Sequence, residues 1–134
     1  MRVGEVARAA GLRASAIRFY ERRGLLPEPA RTSAGYRDYD AGVVDRLKFI
    51  RAGQQVGLTL SELREVIAMR EQGRVPCAHV LDLLEARTQR LGAEIRQLRQ
   101  LQGELRTLVA RGRQLDPADC DAQGVCHVVS RSGP

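Results

Sequence analysis

Between Ala78 and Arg111 the chain carries no proline, and leucine returns at every seventh position, as Leu84, Leu91, Leu98 and Leu105. Leu81, Thr88, Ile95, Gln102 and Val109 fill the complementary positions. A heptad sustained over about four repeats predicts a coiled-coil helix rather than a helix of a globular core. At about 1.5 Å per residue that helix reaches roughly 50 Å. A chain of 134 residues has too little remaining surface to cover such a stripe. The stripe therefore needs a partner helix, and the simplest source is a second copy, so a homodimer is expected. Thr88 and Gln102 weaken the seam and can fix its register.

The segment before this helix reads as a small mainly α domain. Val3, Val6, Ala7 and Ala10 are spaced as one helix face, and Gly11 ends it. Ser15 can open a second helix running through Ile17, Phe19 and Tyr20 to Gly24. Two short helices joined by a tight glycine turn form a helix-turn-helix pattern. Pro27, Pro29, Ser33 and Gly35 then punctuate the chain, and Tyr36 to Tyr39 alternates large and polar residues, as in a short hairpin or wing. Val43, Val44, Leu47 and Ile50 mark a third helix. A fourth starts at Thr59 or Ser61 and buries Leu60, Leu63, Val66, Ile67 and Met69. Gly73 to Pro76 forms a break before the long helix.

Charge separates the two parts. The formal net charge is +6, and residues 1–51 hold eleven Lys/Arg against six Asp/Glu, while the rest is nearly balanced. A basic N-terminal part points to a polyanionic partner. All but one of the cations are arginine, which suits bidentate contacts to phosphates and base edges. Arg13, Ser15, Arg18 and Tyr20 sit on or just before the second helix, where groove contacts are expected. Arg31, Arg37 and the wing tyrosines, Tyr36 among them, can reach a phosphate backbone. Phe19 is expected in the core, and Tyr39 suits either role. No apolar run is long enough to span a bilayer, and residues 1–11 do not resemble a signal peptide, so the expected location is the cytoplasm.

Four stretches together resemble the MerR family of bacterial transcription regulators. They are VGEVARAAGL, AIRFYERRGLLPEPAR, GYRDYD and RLKFIRAGQQVGLTLSELREVI, which fall in order within residues 2–70. The resemblance implies a winged helix-turn-helix DNA-binding domain (residues 1–75) and an antiparallel coiled-coil dimerisation helix (76–111). A C-terminal metal-binding loop and tail (112–134) would complete the chain. It also implies a homodimer on double-stranded promoter DNA that acts with RNA polymerase, and activation by distortion of the DNA, a form of indirect readout. Arg18 and Tyr20 would then lie on the recognition helix, Tyr36 and Arg37 would clamp the backbone, and Tyr39 would support the wing.

Cys77, Cys120 and Cys126 are an odd number in a chain of this kind, which favours metal or redox chemistry over a disulfide framework. The metal-sensing branch of the family binds its ion through two cysteines of the C-terminal loop. The residue at the head of the other subunit's long helix sorts the effectors. Cysteine at that position, as in Cys77, implies a divalent soft ion (mercury, zinc, cadmium or lead). Three sulfurs suit mercury or lead, whereas zinc would also recruit His127 or His79. Asp116, Asp119 and Asp121 crowd the loop, either as outer partners of the site or as solubilising charge. The cysteine spacing is shorter than is typical of that branch, and the pair begins later.

The alternative is a thiol-based redox or electrophile sensor using the same cysteines. An iron–sulfur centre normally needs four protein ligands, and the tail is too short for a drug pocket. Enzymatic chemistry has little support: there is no nucleophile motif or phosphate loop, and His79 and His127 are the only histidines. Val128 and Val129 are expected to pack back on the dimer, with residues 130–134 disordered.

Overall fold

The computed structural model describes residues 1–120 and 124–130. Asp121 and the end of the tail from residue 131, on which two of these expectations fall, lie outside the described residues. The chain divides into two compact units, Met1–Arg87 and Thr88–Pro134.

In the first unit, α1 (Val3–Ala10) and α2 (Ala14–Arg22) precede a hairpin of β1 (Ala30–Arg31) and β2 (Arg37–Asp38). Then follow α3 (Gly42–Gln55), α4 (Leu60–Glu71) and the start of α5 (Cys77–Gln114). Helix α2 opens at Ala14, one residue before the expected start. Extended Arg13 offers its carbonyl to the amides of Ala16 and Ile17, so the backbone alone begins the turn. Helix α4 starts with a reciprocal cap: the Thr59 hydroxyl accepts from the Glu62 amide at 3.1 Å, and the Glu62 carboxylate accepts from the Thr59 amide at 2.9 Å.

The core joins all four short helices. Val6, Ile17, Leu47, Ile50 and Leu63 are fully buried, with Leu25 closing the core from the loop after α2. Helix α3 runs on past Arg51 to Gln55, and Gly53 within it lets α4 approach. A Cβ at residue 53 would overlap Leu63 Cδ2. Leu83 and Leu84, on the first turns of α5, pack against this core. Leu84, on the heptad by spacing, is therefore partly covered by the head.

The second unit holds the rest of α5, a 3₁₀ turn at Pro117–Asp119 and the short α6 (His127–Ser130). Leu91, Ile95, Leu98, Leu105 and Val109 are exposed by 39–65% in the single chain, and Leu101 joins them at 50%. The expected seam thus stands uncovered at Leu81 and from Leu91 onward. Ser130 closes α6 where disorder was expected to begin. Val128 packs onto Gly112 of α5, whose missing side chain makes the room, while Val129 stays exposed. No described helix is long and apolar enough to cross a membrane.

Candidate nucleic-acid interface and metal site

Helix α2 has two faces. Ile17 and Tyr20, three residues apart, point into the core, leaving Arg13, Ser15, Arg18, Phe19, Arg22 and Arg23 exposed. This corrects two expectations. Tyr20 is only 8% exposed and its hydroxyl donates to Gln54 Oε1 at 2.6 Å, so it braces the helix from beneath and does not reach a groove. Phe19, expected inside, is 37% exposed, with the Arg23 guanidinium 5.6 Å from its ring centre. The helical phase held the signal, because residue 20 shares Ile17's face and residue 19 shares that of Ser15.

The wing pairs antiparallel, Ala30 with Asp38 and Arg31 with Arg37. Its tip is closed by the Thr32 amide on Tyr36 O (2.7 Å), the Gly35 amide on Thr32 O (2.9 Å) and Arg31 Nη1 on Gly35 O (3.0 Å). Tyr36 is 55% exposed beneath the Arg2 guanidinium, 4.1 Å from its ring centre. Between wing and α2 lies a hollow of about 290 Å³ lined by Arg18, Glu21, Arg22, Glu28 and Arg37. Arg13, Ser15, Arg18, Arg31, Tyr36 and Arg37 all belong to this unit, and Arg18 and Arg37 meet at the hollow. Three guanidiniums on one concave surface are suited to a phosphate backbone.

Glu21 was not singled out from sequence. Its Oε2 accepts from the Tyr39 hydroxyl at 2.7 Å, and its Oε1 lies 3.6 Å from Arg37 Nε. Tyr39 is the buried support of the wing, 3% exposed. Burial, then the Glu21 hydrogen bond and the Glu21 charge, push its phenol up from 10 to about 12. The folded state therefore holds this proton more tightly than the unfolded chain. The resulting stability, at most about 2–3 kcal/mol, is complete below pH 10 and is lost as pH rises towards 12. In a titration followed at the phenolate absorbance, one late step near pH 12 is expected, and Tyr39→Phe should remove it. An alkaline stability profile unchanged by that substitution would contradict this role.

In the second unit Cys120, Cys126 and His127 line one hollow of about 220 Å³ with Gly112, Leu115, Pro117 and Val128. Cys120 is half-buried and Cys126 exposed, and no disulfide joins the described cysteines. Both His127 ring nitrogens are shut off from solvent without a hydrogen-bond partner among the described residues. Asp116 is engaged, its Oδ1 capping the 3₁₀ turn through the Ala118 amide at 2.9 Å. Cys77 is exposed and opens α5 in the first unit. His79 lies in that unit too, its Nε2 3.5 Å from Glu65 Oε1 but not in hydrogen-bond geometry. Among the described residues no group of three or more His, Cys, Asp or Glu converges as a single-chain metal site.

Residues 1–70 match the family described as MerR HTH family regulatory protein. The chain belongs to the MerR family. Residues 44–108 also match the family described as MerR, DNA binding. This MerR-family chain is 36% identical over 110 residues to the mercuric resistance operon regulatory protein of Bacillus cereus, covering 82% of this chain and 83% of that one. It is 36% identical over 135 residues to the HTH-type transcriptional regulator CueR of Yersinia pestis, covering 95% and 94%. The transcription regulator PbrR691 of Ralstonia metallidurans CH34, solved in complex with lead(II), superposes with a TM-score of 0.76. It is 32% identical and covers 99% of both chains. The chain is thus related to MerR-type regulators that respond to metal ions, and it is a DNA-binding transcription regulator, not an enzyme.

Proposed function

We propose that this MerR-family protein binds promoter DNA as a homodimer and activates transcription when a divalent soft metal ion (mercury, zinc, cadmium or lead) occupies cysteines at the dimer interface. The observation that carries the reading is the hollow shared by Cys120, Cys126 and His127, whose two ring nitrogens have no hydrogen-bond partner among the described residues. Two thiols and an imidazole form a donor set matched to soft and borderline divalent ions. A third thiol, Cys77, would come from the partner's long helix. A bound cation would supply a cross-link between thiolates of the two subunits.

The protein's own groups do the remaining work. The exposed leucine seam of α5 pairs the copies. Arg13, Ser15 and Arg18 face the major groove, and Arg31, Tyr36 and Arg37 grip the flanking backbone. Phosphate contacts on both half-sites let the dimer bend or untwist the duplex between them, which realigns the promoter for RNA polymerase. Relatives that include a mercuric resistance operon regulator and a lead(II)-bound regulator support the choice of effector class.

The reading is tested by titrating the purified dimer, with reductant present, with zinc, cadmium, mercury, lead and copper(I), while transcription from the promoter is followed. Tight binding of a divalent ion that raises transcription is expected. Tight binding of copper(I) alone would overturn the divalent assignment. The exposure of Cys126 beside Cys120 favours one second reading, a thiol redox sensor. Absence of metal binding, with a Cys120–Cys126 disulfide under mild oxidant, would establish that reading instead.

A further inference from the structure

Two carboxylates, Glu21 and Glu28, line the arginine-rich hollow and work against binding a polyanion there. Glu21 stands among Arg18, Arg22 and Arg37 on the surface offered to a polyanion, where its charge repels phosphate. Its side chain is nevertheless only 12% exposed, and its two oxygens are divided between two residues of one neighbouring segment. Oε2 takes the Tyr39 hydroxyl, and Oε1 faces Arg37 Nε. Both partners belong to the returning limb of a wing whose ladder consists of two residue pairs. The contact to Arg37 is made through Nε, and no described hydrogen bond occupies the Nη end of that 41% exposed side chain.

We infer that Glu21 is a positioning residue for DNA binding, which ties the wing to the recognition helix and aims the Arg37 guanidinium at a phosphate. The inference rests on the DNA interface proposed above. Glu21 itself does not touch DNA. It gives up some attraction for the duplex in return for a fixed distance between Arg18 and Arg37.

The sign of one substitution separates this role from simple charge. Glutamine at residue 21 can still accept from Tyr39 but offers no charge to Arg37. If Glu21 only repels phosphate, Glu21→Gln tightens binding. If it positions Arg37, binding weakens by about tenfold although the net charge rises. The slope of log affinity against log salt also flattens by about two phosphate contacts, one per protomer, or roughly 1.8.

The probe is a duplex selected from a random-sequence pool by the wild-type protein, titrated at several salt concentrations with thermal unfolding recorded in parallel. Tyr39→Phe, which leaves the charge unchanged, should show a comparable loss. Arg37→Gln should flatten the slope equally, and adding Glu21→Gln to it should cost nothing further. Unchanged or tighter binding by Glu21→Gln, or full additivity with Arg37→Gln, would overturn the inference. Should Glu21→Gln fail to fold, Glu21→Asp, with an arm one methylene shorter, carries the same comparison. Failure of the wild-type protein to select any duplex would instead count against the DNA interface itself.

Discussion

Replacing Leu98 and Leu105 together by glutamate is expected to convert the protein to monomers and lower its affinity for promoter DNA by at least about a hundredfold. Both side chains are more than half exposed in the single chain, at 65% and 52%, on a helix with no globular core to shelter it. Full burial of a leucine is worth roughly 1.5–3 kcal/mol. In a twofold dimer each substitution removes that contribution twice and places carboxylates in a seam that excludes water. The summed loss is of the order of a dimerisation free energy. The monomer keeps its folded head, because residues 1–87 have their own core. What it loses is the second half-site, and with it the effective concentration that joins two modest contacts into one strong one. Sedimentation equilibrium and DNA titration measure the two effects. Gln100→Glu, two positions from Leu98 and so on the other side of the helix, should leave both unchanged. A double glutamate variant that still sediments as a dimer would show that the seam is not the interface.

The second large effect is expected at the effector site. Cys120→Ser or Cys126→Ser should each lower the affinity for the activating divalent ion by more than about a hundredfold, because loss of even an outer partner of a ligand costs ten- to a hundredfold. DNA affinity without metal should stay within about twofold, since both cysteines lie outside the unit that carries the recognition helix and wing. Cys77→Ser should weaken the divalent response and spare DNA binding in the same way. Competition titration against a chromophoric chelator reads the first quantity and a promoter-binding assay the second. Undiminished metal affinity in both serine variants would place the effector elsewhere. Parallel loss of DNA binding would contradict the division of labour between the units.

Much of this arrangement was legible before any coordinates, because long-period signals survive tertiary context. The leucine heptad, the break at Gly73 to Pro76 and the basic N-terminal third are properties of many residues at once. What could not be read reliably depends on a one-residue step of helical rotation, about 100°, or on contacts distant in sequence. The exchange of Phe19 and Tyr20 is a phase error of one residue, and it decides which ring meets solvent. Leu84 falls on the heptad by spacing, yet the head core reaches it first. Glu21 has no local signature, because its partners arrive from residues 37 and 39, in and just after the second strand of the wing. The gathering of Cys120, Cys126 and His127 was suggested by adjacency. The enclosure of both imidazole nitrogens was not, since it depends on how α6 folds back through Val128 onto Gly112.

The closed tip of the wing bears on the thermodynamics of encounter. Fixing one residue's backbone costs about 1–2 kcal/mol in conformational entropy. The paired bonds between Thr32 and Tyr36, with the Gly35 amide on Thr32 O and Arg31 Nη1 on Gly35 O, hold this loop in one shape in the free protein. Had the same residues been loose, ordering them would be charged to association and subtracted from every affinity measured. Preorganised as it is, a loop that grips the duplex as proposed would do so with that cost already absorbed in folding. Replacing a wing residue that touches no base can therefore change how tightly the protein holds its operator, by changing how much freedom remains to be lost.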